Sequence, residues 1–116
     1  MSGAGAVAAA QVRAHLSTRP AGDLPLTYRD LAVAVGLSPP GQIPAVTAAL
    51  ERTMMDDAAA DRPFIAALVV GRATNGLPGT GFFELAARLG RLPADPDRQA
   101  AAFRAEQRAA IAFHLA

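Results

Sequence analysis

Leu26 to Leu50, LTYRDLAVAVGLSPPGQIPAVTAAL, and Arg62 to Phe83, RPFIAALVVGRATNGLPGTGFF, decide how this chain is read. In the first stretch Thr27-x-x-Asp30 is a helix opening whose hydroxyl can accept from a first-turn amide, and Leu31, Ala34 and Val35 form an inward stripe that Gly36 ends. Ser38 to Gly41 has the composition of a turn. Pro44 belongs in the first turn of the next helix, where its missing N–H removes no helical bond. Val46, Leu50, Met54 and Ala58 then recur on one face, and Pro63 closes the helix. In the second stretch Phe64 to Val70 is a short apolar run ending in β-branched residues, the pattern of a covered strand. Asn75-Gly76 favours a tight hairpin turn because both residues tolerate positive φ. Leu77-Pro78-Gly79-Thr80 fits a type II turn with Gly in the left-handed position. A strand, a tight turn and a short return strand are expected there.

Outward from these stretches, Ala4 to Thr18 reads as a helix, with Val7, Ala10 and Ala14 and also Val12 and Leu16 at apolar spacing, ending before Arg19-Pro20. Gly22 to Pro25 is a connector. Phe82 to Leu89 reads as a helix that packs Phe82, Leu85, Ala86 and Leu89. Asp95-Pro96-Asp97 opens a last helix with an N-cap carboxylate and a second acid near the positive dipole end. That helix runs to about His114 and is anchored by Phe103, Ile111 and Leu115. The expected fold class is α+β, mostly helical, as one domain over residues 1–116. An N-terminal helix (about 4–18) and a C-terminal helix (about 96–114) flank its core, and the length suits a single core.

Hydrophobic residues make up 52% of the chain and are dominated by Ala, and all 11 basic residues are Arg. The absence of Cys excludes a disulfide framework, a thiolate nucleophile and a cysteine zinc site. The start MSGAGAVAAAQVRAHL lacks a basic opening and is interrupted by Gln11 and Arg13, so it reads poorly as a secretory signal. No run approaches the length of a membrane span. A cytoplasmic protein with no membrane partner is expected. The net charge of +1 is unevenly spread: Tyr28 to Asp61 sums to −3 and Arg62 to the end to +3. An anion footprint is therefore expected in the C-terminal half.

Four residues stand out as contact candidates: Tyr28, Arg52, Arg72 and Asn75. Tyr28 can bond a phosphate or flank a base, against the simpler reading of a half-buried aromatic at a helix start. Arg72 and the Asn75 to Gly81 loop can straddle a groove, where Arg suits phosphates or a narrow minor groove. Arg52 shares the exposed face of the longer helix with Gln42, Thr47 and Glu51, and an acid in a major groove meets phosphate repulsion. Gly76 to Gly81 lacks the spacing of a phosphate loop. Asp56, Asp57 and Asp61 read as a solvated helix end rather than a metal site. His15 and His114 have no Ser, Cys or acidic partner at readable spacing and read as surface or boundary residues. Phe103, Ile111, Phe113 and Leu115 on the last helix either complete a dimer or cover the core. No catalytic residue, cofactor or metal is expected.

Tyr28-Arg29-Asp30-Leu31-Ala32, then Gly36, then Ala45-Val46 with Ala49-Leu50, resembles the helix-turn-helix of the alkylguanine DNA alkyltransferases and the alkyltransferase-like proteins. The pattern there is close to Thr-Tyr-Gly-x-Leu-Ala followed by Arg-Ala-Val-Gly-x-Ala-Leu. That family continues with Pro-Cys-His-Arg-Val and a Gly-rich loop ending in Phe, and Ile65 to Val69 and Gly76 to Phe82 take those places here. The resemblance spans roughly half of the chain and implies a winged-helix-like domain with a short β-hairpin as its wing. It puts the acceptor Cys at Ala66, the His at Ala67, the Arg at Leu68 and the base-displacing Arg at Pro44. Alkyl transfer needs an activated thiolate, which Ala lacks. The resemblance therefore implies the scaffold without the chemistry, with Tyr28 at a position that lies near DNA in the family. The chain is also similar to small bacterial proteins with a Leu-Val-Val, Gly-Leu-Pro-Gly, Gly-Phe signature, which suggests a family of its own. The expected function is a non-catalytic winged-helix-like module associated with nucleic acid, DNA in particular, through its wing. The alternative is a protein-interaction or adaptor domain, a homodimer included.

Overall fold

Local capping chemistry sets where the helices begin. Thr27 Oγ1 accepts from the Asp30 amide at 3.1 Å, and Asp95 caps the last helix by accepting from Asp97 N at 3.0 Å, both as the sequence predicts. The computed structural model describes residues 2–72 and 74–115. Within them α1 spans Ser2–Ser17, α2 Tyr28–Ala34, α3 Gln42–Ala59, α4 Thr80–Arg88 and α5 Pro96–His114. Two short strands, β1 (Leu26–Thr27) and β2 (Val69–Val70), complete a mostly helical fold. Gly41, at φ 87°, turns the chain into α3, a backbone conformation that suits glycine.

The core lies where α1, α3 and α5 close around residues 64–70. From α3 it receives Val46, Ala49, Leu50, Thr53, Met54 and Asp57, and from α1 Val12 and Leu16. Val7 lies outside the residues whose side chains are described, and Ala10 and Ala14 face outward. In α2 it is Ala32, beside Leu31, that is buried, while Ala34 is exposed and Val35 half-buried. Four phenylalanines pack edge to face: Phe82 meets Phe64, Phe83 and Phe103 at centroid distances of 5.9, 5.6 and 5.4 Å. The Arg91 guanidinium covers Phe64 at 4.3 Å.

The expected hairpin is not formed. Ile65–Leu68 is a 3-10 turn, and only Val69–Val70 is extended. The partner of β2 is β1, in parallel, with Leu26 opposite Val69 and Thr27 opposite Val70. No return strand follows among the described residues. The turn at Asn75-Gly76 does form, with φ of 54° and 76° and Leu77 N donating to Thr74 O at 3.0 Å. It closes a small loop through Gly71 N to Leu77 O at 2.9 Å rather than starting a ladder. A Cβ on Gly71 would stand 2.9 Å from Thr74 Oγ1, so the loop needs a glycine there. The type II turn expected at Leu77 to Thr80 is also replaced: Gly79, at φ −68°, is the N-cap of α4.

Residues 62–67 need no return strand because side chains satisfy several of their backbone groups, and backbone bonds such as Arg62 N to Asp57 O and Ala67 N to Phe64 O meet others. Asp57 is fully buried and accepts from Arg13 Nη2 at 2.8 Å, from Arg62 Nε and from Ile65 N at 2.9 Å. Glu106 of α5 accepts from Phe64 N at 2.8 Å and from Arg91 Nη2 at 2.9 Å. Arg91 Nη1 donates to Arg62 O and Gln107 Nε2 to Ala67 O, each at 3.0 Å. His114 Nε2 lies 2.7 Å from Pro63 O. Asp57 is thus not part of a solvated helix end, and was misread because its partners are remote in sequence, whereas His114 lies half-buried at the boundary as its sequence context suggests.

Asp57→Ala leaves two guanidinium groups and a buried amide without their acceptor. It should lower the unfolding free energy by about 3–5 kcal/mol in urea titration. Asp56→Ala breaks only the exposed pair with Arg52 and should cost under about 1 kcal/mol. Equal losses in the two variants would remove Asp57 from its central role.

Candidate functional site

The parallel register is what assembles a site. The register ends with Thr27 opposite Val70; Arg29 in the first turn of α2 and Arg72 in the segment after β2 lie two residues beyond it in each chain segment. Thr27, Arg29, Asp30 and Arg72 line one open depression of about 330 Å³. Both arginines are exposed, and among the described residues neither joins the ion pairs of the fold. Arg72 projects from the closed 71–77 loop. Arg104 of α5 braces the tip of that loop by donating to Asn75 O at 3.3 Å.

Tyr28 sits next to this depression in sequence but turns to another surface. Its hydroxyl accepts from Gly79 N at 3.0 Å, which fixes the start of α4 against the start of α2. With Thr47, Leu50, Glu51, Met54, Ala66 and Phe82, it borders a depression of about 20 Å³, room for about one water. Burial pushes the Tyr28 phenol above its usual range; the Gly79 N–H opposes this and the negative charge of Glu51 adds to it. A further open depression of about 490 Å³ lies against α4, lined by Phe83, Glu84, Arg88 and Gln99 among others.

Of the four residues singled out by sequence, Arg72 enters the arginine-lined depression, and Tyr28 is held to the loop that follows it. Asn75 takes part through its backbone carbonyl, as the contact for Arg104. Arg52 lines neither the Tyr28 nor the Arg72 depression and pairs instead with Asp56 at 3.5 Å. The residue that sequence reasoning missed is Arg29. It lies in the acidic half of the chain, and only the pairing of β1 with β2 brings it to Arg72. Among the described residues no three His, Cys, Asp or Glu side chains cluster to hold a metal, and no helix is long and apolar enough to cross a membrane.

Tyr28 is the sole tyrosine and the chain has no Trp, so its ionisation can be followed cleanly by ultraviolet absorbance. The midpoint should lie above about 10, the ordinary phenol value. Because the folded state holds this proton more tightly than the unfolded chain, the stabilisation is complete below the unfolded midpoint and is lost as pH rises through the folded one. Tyr28→Phe should cost about 1 kcal/mol and abolish the absorbance change. A midpoint at or below that of free tyrosine would contradict the burial of this hydroxyl.

Comparison with protein-family models, with curated proteins and with solved structures found no match to this chain.

Proposed function

We propose that the chain is a non-catalytic module with a helix-turn-helix core, α2 and α3, that acts by docking a protein on the outward face of that core. The observation that carries this reading is the placement of exposed apolar side chains. Val33 (69% exposed), Ile43 and Met55 belong to α2 and α3, and among the described residues Phe113 of α5 is the other large one. The outward side of α3 adds Pro44, Ala45 and Ala48, all exposed. The cation on this side, Arg52, is offset by Asp56. A helix that reads a DNA groove needs cations for the phosphates, whereas a face whose arginine is already paired and which bears apolar side chains beside Glu51 suits a protein. With Arg52 and Asp56 paired, Glu51 leaves this face a single negative charge, and its apolar side chains can meet those of a second copy in the self-complementary contact of a two-fold dimer.

The absence of covalent chemistry is supported at Ala66, where the alkyltransferase resemblance puts its acceptor. Ala66 is 3% exposed, and the depression it borders holds no more than about one water. A second reading, contact with nucleic acid, is favoured by one observation, the meeting of Arg29 and Arg72 on a common depression. It no longer requires a wing.

Sedimentation of the purified chain should show a concentration-dependent dimer that Met55→Asp dissociates. A monomer at every concentration, or a dimer indifferent to that change, would overturn docking between copies through this face. Incubation with labelled alkylated DNA should leave the protein unlabelled, and covalent incorporation would overturn the non-catalytic assignment.

A further inference from the structure

We propose that the depression between Arg29 and Arg72 seats a phosphodiester of a nucleic-acid backbone, one guanidinium on either side. The inference rests on the nucleic-acid reading and is independent of the docking face on α3. Guanidinium groups present planar, paired donors that match phosphate oxygens. Here two of them line one open depression of about 330 Å³ while forming no ion pair among the described residues. Both are exposed, so a chain can pass over the seat rather than having to enter a cleft.

The local charge selects the type of phosphate. Asp30 lines the same depression, so two arginines and one carboxylate leave a net charge of +1. That balances the single negative charge of a diester. A phosphomonoester approaches −2 at neutral pH and would set its excess charge against Asp30. Thr27 adds a donor: its oxygen accepts from Asp30 N at 3.1 Å, which leaves the hydroxyl proton free for a phosphate oxygen.

The seat is held in place before any ligand arrives. On one side the β1–β2 register fixes the approach of residues 27 and 70. On the other, Gly71 N to Leu77 O at 2.9 Å, Thr74 Oγ1 to Gly71 O at 3.2 Å and Arg104 to Asn75 O at 3.3 Å close and brace the loop that carries Arg72. Gly71 and residues 74–77, already braced by these contacts, lose less entropy on binding, which leaves more of the contact energy for affinity.

Fluorescence anisotropy with a short labelled DNA duplex, over a series of salt concentrations, tests the seat. Arg29→Gln and Arg72→Gln should each weaken binding about tenfold. Each should also lower the slope of log affinity against log salt by about 0.9, the value for one lost phosphate contact. Asp30→Asn should tighten binding by removing the opposing charge. Arg98→Gln, an equal change of net charge on α5, should leave affinity and slope near those of the parent chain. If the parent binds duplex and neither Arg29→Gln nor Arg72→Gln alters it, the seat is wrong while the nucleic-acid reading stands. If the parent binds no duplex at low salt, both fall. Tighter binding of a phosphoserine peptide than of duplex, lost in Arg72→Gln, would overturn the diester assignment. Thermal melting followed by circular dichroism should be unchanged in all these exposed-site variants, which separates loss of contact from loss of fold.

Discussion

One carboxylate organises the molecule. Asp57, near the end of α3, is fully buried and gathers an arginine from α1, an arginine from the segment after α3 and the backbone amide of Ile65. Taking a carboxylate out of water is costly, and the cost is offset here by three donors, two of them cationic. The two guanidinium groups stay about a quarter and a third exposed, so their own desolvation is partial. The result is a junction that holds α1 to α3 and fixes the point at which the chain enters the core.

From that junction the rest of the fold follows. Glu106, Gln107 and His114 on α5 meet Phe64 N, Ala67 O and Pro63 O, so this apolar run is held by side chains on two sides, and its backbone coils into a 3-10 turn. The turn delivers Val69 and Val70 to β1 in parallel, and this pairing sets Arg72 beside Arg29. Two surface features, the exposed apolar side chains of α3 and a basic depression at the start of α2, thus stand on one buried arrangement.

What could be read in the sequence was whatever depends on neighbours in the chain. Thr27 with Asp30, Asp95 with Asp97 and the Asn75-Gly76 turn are all local devices, and the structure contains each of them. So is the inward stripe of α3, where Val46, Leu50 and Met54 recur at the helical period. The strand expected over Phe64 to Val70 failed for the opposite reason. An apolar run has no period that separates a covered strand from a buried 3-10 turn. The partners that decide it, Glu106 for Phe64 and Gln107 for Ala67, lie 42 and 40 residues away. β1 was invisible because two residues make no pattern. Arg29 was passed over because summing charge by segment placed it in an acidic stretch, although its spatial neighbour is Arg72. The outward face of α3 was half legible: Arg52 was recognised there, but its neutralisation by Asp56 and the exposure of Met55 were not.

The claim on which this account turns is that carboxylates, not a neighbouring strand, hold the entry of the chain into the core. Native-state hydrogen exchange at the Phe64 and Ile65 amides measures it directly, since these are the donors to Glu106 and Asp57. Both should exchange only through global unfolding, as slowly as the interior amides of α3. Exchange at the rate of an exposed loop amide such as that of Gly76 would contradict it.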